Sequence, residues 1–296
     1  MKYVYGPVPS RRLGRSLGVD LIPMKICTFS CIYCQLGKTL NLSIERKKYI
    51  PEGEVVKEIE KLIKKTPPDY ITLSGSGEPT LYSGIDSLVN KIKKITSIPI
   101  ALLTNGTLFY LPEVRKEVMD IDLILPSLDA SCEKEYKLIN RPDPSIKYEN
   151  LIEGLKKLRA EFKGKIYLEI MFVKGFNDSE KSLNDFKNII EKIGPDKIHI
   201  NTVVRPPAEK IAKPVNKERL IVIKNFLKGR SEIITSFKGS AAGTDIFDVL
   251  KRRPMTMNDI VQITGKDKKE IEEDINKLLI FGKIIKKGKY YLVEEE

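Results

Sequence analysis

The chain of 296 residues has no tryptophan, a single histidine (His199) and only four cysteines. Each scarcity excludes something. One histidine argues against a zinc hydrolase, whose metal site is usually built on paired histidines. Four cysteines, three of them within residues 27–34, do not make a disulfide framework, and a reducing cytoplasm is the expected compartment. No apolar run approaches the roughly 20 residues that a membrane-spanning helix needs. The stretch from Met1 to Pro7 lacks the apolar core of a signal peptide. What is abundant is lysine, glutamate and isoleucine, a thermophile-like composition. An apolar fraction of 41% and a charged fraction of 31% describe an ordinary globular protein, long enough for one large domain and a small appendage. The net charge of +12 suits a polyanionic partner such as RNA, and equally a lysine-rich solvated surface.

The densest chemistry lies in Cys27, Cys31 and Cys34, spaced C-x3-C-x2-C. Three thiolates this close can bind three irons of a cubane cluster and leave the fourth iron open to a small molecule. A zinc knuckle and a ferredoxin-type ligand run are the alternatives. Zinc would need Cys132 or His199 as a distant fourth ligand, and a ferredoxin run needs a fourth cysteine nearby.

Along the chain, apolar runs alternate with amphipathic helical patterns, which predicts a parallel α/β architecture. The expected strands are Val19–Pro23, Tyr70–Leu73, Ile98–Leu103, Leu123–Ser127, Ile166–Val173 and Ile198–Val204. Helical stretches are expected near residues 53–65, 85–94, 112–118, 148–162, 180–193 and 217–227. Six such units fit a partial barrel or a doubly wound open sheet, and both place a ligand at the carboxyl ends of the strands. The loops at those ends are the informative ones. Gly75 and Gly77 allow a tight turn beside a ligand, and Glu78 offers acceptors to an ammonium group. Thr104-Asn105-Gly106 follows the third strand, although Asn-Gly is also an ordinary turn pair. Glu169, inside an apolar run, should face the barrel mouth or pair with a cation. Asn201 and Arg205 sit at the last strand, and Arg205 suits bidentate binding of a carboxylate.

The cysteine spacing, with Tyr33 just before the last cysteine, resembles the radical S-adenosylmethionine (radical SAM) superfamily. Residues 73–80 are similar to its Gly-Gly-Glu-Pro motif, departing at the first glycine, where Ser76 stands; residues 103–107 are similar to its Thr-Asn-Gly segment. The resemblance implies a partial (β/α)6 TIM-type barrel with a [4Fe–4S] cluster on Cys27, Cys31 and Cys34. It implies SAM contacts from Tyr33, Gly75, Ser76, Gly77, Glu78, Thr104, Asn105, Ser127, Asp129 and Glu169, with Ser127 and Asp129 toward the ribose. The reaction it implies is reductive cleavage of SAM to a 5′-deoxyadenosyl radical, fed by a one-electron donor such as ferredoxin or flavodoxin. Substrate contacts are expected from Arg11, Arg12, Cys132, Asn201 and Arg205. Cys132 alone cannot build an auxiliary cluster. Tyr5 to Asp20, rich in Gly, Pro and Arg, resembles the opening of a narrower group related at the core to tRNA wyosine synthases and cofactor-assembly radical enzymes. The substrate is thus a small molecule, a partner protein or an RNA. A tRNA-modifying enzyme, an iron–sulfur redox-sensing regulator and a zinc-stabilised RNA-binding protein are the competing readings.

The expected organisation is an arm at 1–17, a barrel at 18–235, a Gly/Ser/Ala linker at 236–244 and a winged-helix-like domain at 245–296. In that last part, Lys286, Lys287 and Lys289 make a basic wing. Glu270, Glu272, Glu273 and Asp274 would repel phosphates, which favours docking, lid duty or packing over sequence-specific DNA binding.

Overall fold

The computed structural model describes residues 2–234, 246–251 and 254–293. Eight strands form one sheet in chain order: β1 (Val4–Ser10), β2 (Gly14–Asp20), β3 (Tyr70–Ser74), β4 (Ile100–Thr104), β5 (Leu123–Pro126), β6 (Lys165–Phe172), β7 (Lys197–Thr202) and β8 (Ser231–Ile233). β1 runs antiparallel to β2, and every later neighbour pair is parallel. The edges β1 and β8 do not pair, so the barrel stays partial and open. Seven helices cover its outside: α1 (Glu52–Lys65), α2 (Ile85–Ile95), α3 (Pro112–Glu117), α4 (Glu133–Ile139), α5 (Tyr148–Glu161), α6 (Glu180–Ile193) and α7 (Lys217–Leu227).

The period-two pattern of β6 separates the two faces of this sheet. Ile166, Leu168, Ile170 and Phe172 are buried against the helices, while Tyr167, Glu169 and Met171 are half-buried on the lumen side. α6 shows how a helix meets the outer face. Ser179 caps its start by accepting from Ser182 N–H, and Gly194, in the left-handed region at φ +66°, ends it. Leu183, Phe186 and Ile190 lie along one stripe, with Phe186 edge-on to Phe172 at 5.6 Å. Truncating Phe186 to alanine would cost about 3–5 kcal/mol.

Besides α4, which no predicted helical stretch covers, two features of the sheet differ from the sequence-based expectation. Residues 4–20 are a hairpin integral to the sheet, not an arm, and β2 begins at Gly14 rather than Val19. The glycine content that hides these strands has a packing cause: a Cβ on Gly18 would stand 2.1 Å from the Tyr5 ring, which crosses over it. The hairpin turn also sends Leu13 into a cluster with Ala101, Leu123 and Leu125, closing the lumen at the amino ends of the strands. The second difference is β8, a short parallel strand beyond the six expected.

The chain then forms α8 (Ile246–Leu250), β9 (Met255–Thr256), α9 (Met257–Thr264), α10 (Lys268–Ile280), β10 (Ile285–Lys287) and β11 (Tyr290–Leu292). The three strands make a small sheet in the order β9-β11-β10, giving a winged-helix-like subdomain. The expected linker at 236–244 lies outside the described residues. Val249, Leu250, Met255, Ile260, Ile263, Ile271, Ile275, Ile284 and Tyr291 share a core that also takes in Val8 of β1, so the subdomain packs onto the hairpin. Tyr290 O–H reaches back to the Val204 carbonyl after β7. Glu270, Glu272 and Glu273 are exposed along α10. Among the described residues no helix is long and apolar enough to cross a membrane.

Candidate active site

The cysteine loop leaves β2 and is fastened along its length. Ile26–Cys27 pairs with Asn41–Leu42 in a short parallel ladder. Ser30 N–H donates to Asn140 O at 3.0 Å and Ile32 N–H to Ile139 O at 2.9 Å, tying the loop to the end of α4. Phe29 is buried edge-on against Tyr136, ring centroids 5.4 Å apart. Cys27 Sγ accepts from Phe29 N–H at 3.5 Å and from Asn105 Nδ2 at 3.7 Å; Cys31 Sγ accepts from Asn140 Nδ2 at 3.5 Å. All three cysteines border one cavity of about 360 Å³ inside the barrel. Burial pushes the three thiols up, Cys27 to about 12, with Glu78 adding to the effect on Cys27 and Asp129 on Cys31.

The donor set discriminates between the metal chemistries. Among the described residues no three His, Cys, Asp or Glu side chains are grouped to hold a single ion, which does not suit a tetrahedral zinc site. Cys132 precedes α4 and does not border the cavity. His199 is fully buried in β7, its Nε2 lying 3.0 Å from Glu232 Oε1 without hydrogen-bond alignment. Three thiols on one loop, with no fourth ligand beside them among the described residues, suit a polynuclear cluster in which each thiolate would take a separate iron.

The loop after β3 meets the cysteine loop at backbone distance. Glu78 N–H donates to Ile26 O at 3.1 Å. A Cβ on Gly77 would lie 2.0 Å from that same carbonyl, and one on Gly75 (φ +147°) would lie 2.0 Å from Asp20 Oδ1. Both glycines are therefore required by contact with protein as well as bordering the cavity. Ser76 turns the other way: its hydroxyl and N–H donate to Asp20 at 2.7 and 2.9 Å, and it does not border the cavity. Glu78 is 2% exposed. Its Oε1 accepts from Thr80 N–H, Thr80 O–H and Thr104 O–H, and its Oε2 accepts from Asn105 N–H at 2.7 Å. One lone pair on Oε2 thus remains unused among the described contacts. Burial raises the Glu78 carboxyl, against the pull of these bonds.

The third loop locks onto both. Asn105 Nδ2 donates to Thr28 Oγ1 at 2.6 Å, and Asn105 Oδ1 accepts from Thr107 N–H and O–H. On the opposite wall, Ser127 borders the cavity. Asp129 does not: its Oδ2 accepts from Tyr33 O–H and from Asn140 Nδ2 at 3.0 Å, and its Oδ1 from Met171 N–H at 2.9 Å. In this structure Asp129 brackets the cysteine loop through Tyr33 and Asn140. Burial carries its carboxyl to about 6.

Glu169 faces the lumen and pairs with both Nε and Nη2 of Arg12, which comes from the hairpin turn. Burial would raise its carboxyl, but Arg12 and then Arg11 outweigh that and leave it lowered. Arg11, 8% exposed, donates to Asn201 Oδ1 at 3.1 Å, and Asn201 Nδ2 donates to Glu169 at 3.3 Å. Arg205 borders the cavity and donates to Gln35 Oε1, beside Cys34. The sequence offered no sign of Asn140, which joins Asp129 to Cys31, or of Thr28 and Gln35.

The sequence profile of the Radical SAM superfamily matches residues 21–186, the stretch from the cysteine loop into α6. With this match and the fold above, the chain belongs to the radical SAM superfamily, a membership that implies use of SAM and an iron–sulfur cluster. A UPF0026 protein of Methanocaldococcus jannaschii is 33% identical over 97% of this chain and 93% of its own length. A Brachyspira hyodysenteriae protein named GTPase Obg is 38% identical over 96% of this chain, which spans only 43% of that relative. Among solved structures, TYW1 with a lysine-pyruvate adduct bound superposes with a TM-score of 0.55 at 17% identity, covering 75% of each chain. A radical SAM methyltransferase from Sphaerobacter thermophilus gives 0.56 at 16% identity, over 74% of this chain and 66% of that one. At such identities the structures speak for the fold.

Proposed function

We propose that this chain is a radical SAM enzyme holding a site-differentiated [4Fe–4S] cluster on Cys27, Cys31 and Cys34, with SAM and the substrate carbon in the barrel lumen. The observation that carries this reading is the convergence of the loops bearing Cys34, Glu78 and Asn105 on a single cavity. When bound, cluster and SAM together supply a 5′-deoxyadenosyl radical that abstracts hydrogen from an unreactive carbon. The remaining work falls to the chain. Glu78, immobilised by four donors, presents its unused lone pair to the amino group of SAM. Thr104 and Asn105 fix that carboxylate, Ser127 offers a hydroxyl, and the Arg12–Glu169 pair makes a polar wall. Leu13, Leu103 and Leu125 exclude water from the lumen. A ferredoxin or flavodoxin in a reducing cytoplasm is the proposed electron source.

A tRNA substrate is the second reading. It is favoured by the net charge of +12 and by 26% identity, over 62% of this chain, to the S-adenosyl-L-methionine-dependent tRNA 4-demethylwyosine synthase of Arabidopsis thaliana. The groove between barrel and winged-helix-like subdomain, lined by Arg11, Arg205 and Lys289 as well as Asp259, would meet its phosphates.

Anaerobic reconstitution with iron and sulfide tests the first reading. The expected result is a four-iron species whose paramagnetic resonance signal changes on adding SAM. Cys31→Ala should abolish it while leaving the α/β core folded, because the barrel buries its strands without metal. Colourless, zinc-loaded protein with no reconstitutable cluster would contradict the proposal.

A further inference from the structure

Resting on that reading, we propose that Asn140 is a positioning residue for the cluster: acting through Cys31, it raises the potential at which the site accepts an electron. Asn140 is 1% exposed and is held opposite Cys31 by main-chain bonds on both sides. Ser30 N–H donates to the carbonyls of Asn140 and Arg141 at 3.0 and 3.1 Å, and Ile32 N–H donates to Ile139 O at 2.9 Å. Arg141 leaves α4 in the left-handed region at φ +48° and pairs with both carboxylate oxygens of Glu209. Glu209 N–H in turn donates to Ile32 O at 2.9 Å, which closes the clamp around the cysteine loop.

The side chain inside that clamp has one orientation. Its Nδ2 lies 3.0 Å from Asp129 Oδ2 and 3.5 Å from Cys31 Sγ. Turned over, the amide would set its oxygen against the carboxylate oxygen, so the nitrogen must face Asp129. One amide hydrogen goes to the carboxylate and the other to the sulfur. The helix end does not require this arrangement, because the N–H groups of Asn140 and Arg141 already bond to Tyr136 O through the backbone. An N–H aimed at a ligand sulfur stabilises negative charge there. Reduction brings in one electron and changes no bond, so the added charge falls on the iron–thiolate unit, and the donor favours the reduced form over the oxidised one. The counterpart at Cys27 is Asn105 Nδ2 at 3.7 Å, whose closer contact is Thr28 Oγ1 at 2.6 Å. Asn140 therefore carries the larger share.

The test is the midpoint potential of the reconstituted full-length chain without SAM, with dithionite as one-electron reductant and the paramagnetic signal of the reduced cluster as readout. Asn140→Leu should keep the wild-type iron content. Its equilibrium constant for reduction should fall roughly tenfold, a midpoint about 59 mV more negative. Asn140→Ser, too short to reach Cys31, should match it and decides the case if leucine prevents folding. Tyr33→Phe removes the other side-chain donor from Asp129 Oδ2 but leaves the sulfur contact, so its midpoint should move by less than half as much. A wild-type midpoint in the Asn140 variants would overturn the proposal. So would an equal shift in Tyr33→Phe, which would reduce Asn140 to a clasp for Asp129. A wild-type chain that assembles no four-iron cluster would instead overturn the reading on which the proposal stands.

Discussion

Gly77→Ala tests whether the cysteine and glutamate loops form one unit. The added Cβ would stand 2.0 Å from Ile26 O and 2.8 Å from Ile22 Cγ2. Ordinary contact lies near 3.5 Å, so the two segments must part by roughly 1.5 Å. No flexible side chain can yield in their place, because the nearest obstacle is a backbone carbonyl. Overpacking of this kind costs about 1–3 kcal/mol. Parting the segments also strains the Glu78 N–H to Ile26 O bond, worth about 1 kcal/mol more, so a loss of about 2–4 kcal/mol is expected. Because Ile26 precedes Cys27 and Gly77 precedes Glu78, the same movement separates thiol from carboxylate and should weaken SAM binding. Urea unfolding of the cluster-free chain measures the stability change, with Gly53→Ala as control. Nothing lies within 4 Å of a Cβ at Gly53 in α1, where alanine should stabilise by up to about 1 kcal/mol. A neutral Gly77→Ala that still binds SAM fully would refute the close-approach argument.

Arg12→Leu should destabilise the chain by about 3–5 kcal/mol, since Glu169 would be left buried without its cation. Arg12→Leu/Glu169→Leu should recover most of that loss, and a double-mutant cycle without such coupling would contradict the pairing. Glu52 gives a pH-dependent case. Burial disfavours its ionisation, yet bonds from Lys91 at 2.5 Å, Ser87 at 2.7 Å and Tyr82 at 3.0 Å outweigh it and hold the carboxyl at about 2. Its folded pKa is depressed, so its stabilisation is complete above the unfolded value of about 4.3 and is lost as pH falls toward 2. Glu52→Gln should therefore cost on the order of 3 kcal/mol at pH 7, with the gap to wild type closing between pH 4 and 2. A gap that stays constant across that range in urea unfolding would show that the carboxylate charge is not what matters.

The parts of the fold that obey a period were legible. β3 to β7 and, apart from α4, the helices between them follow apolar alternation closely enough to place each loop at its strand end, and so to bring Cys34, Glu78 and Asn105 to one mouth. The hairpin was not legible, because Gly14 and Gly18 replace the side chains that would announce a strand, the latter to admit the Tyr5 ring. Side-chain direction in loops has no period either. Ser76 and Asp129 sit at the right strand ends yet turn toward Asp20 and toward Tyr33, Asn140 and Met171. Cys132 could not be placed by sequence for the same reason. Asn140 escaped notice because its role depends on α4 returning to the cysteine loop, a long-range contact with no local signature. Arg12 and Glu169 are 157 positions apart, and only the closure of the lumen by the hairpin turn brings them together.

The central claim is that three cysteines and the cavity they border generate a radical from SAM. The most direct measurement is 5′-deoxyadenosine, by mass spectrometry, after anaerobic reconstitution and addition of dithionite and SAM. The account predicts product that requires the cluster and disappears in Cys27→Ala. A well-formed four-iron cluster that neither binds SAM nor yields 5′-deoxyadenosine would contradict it.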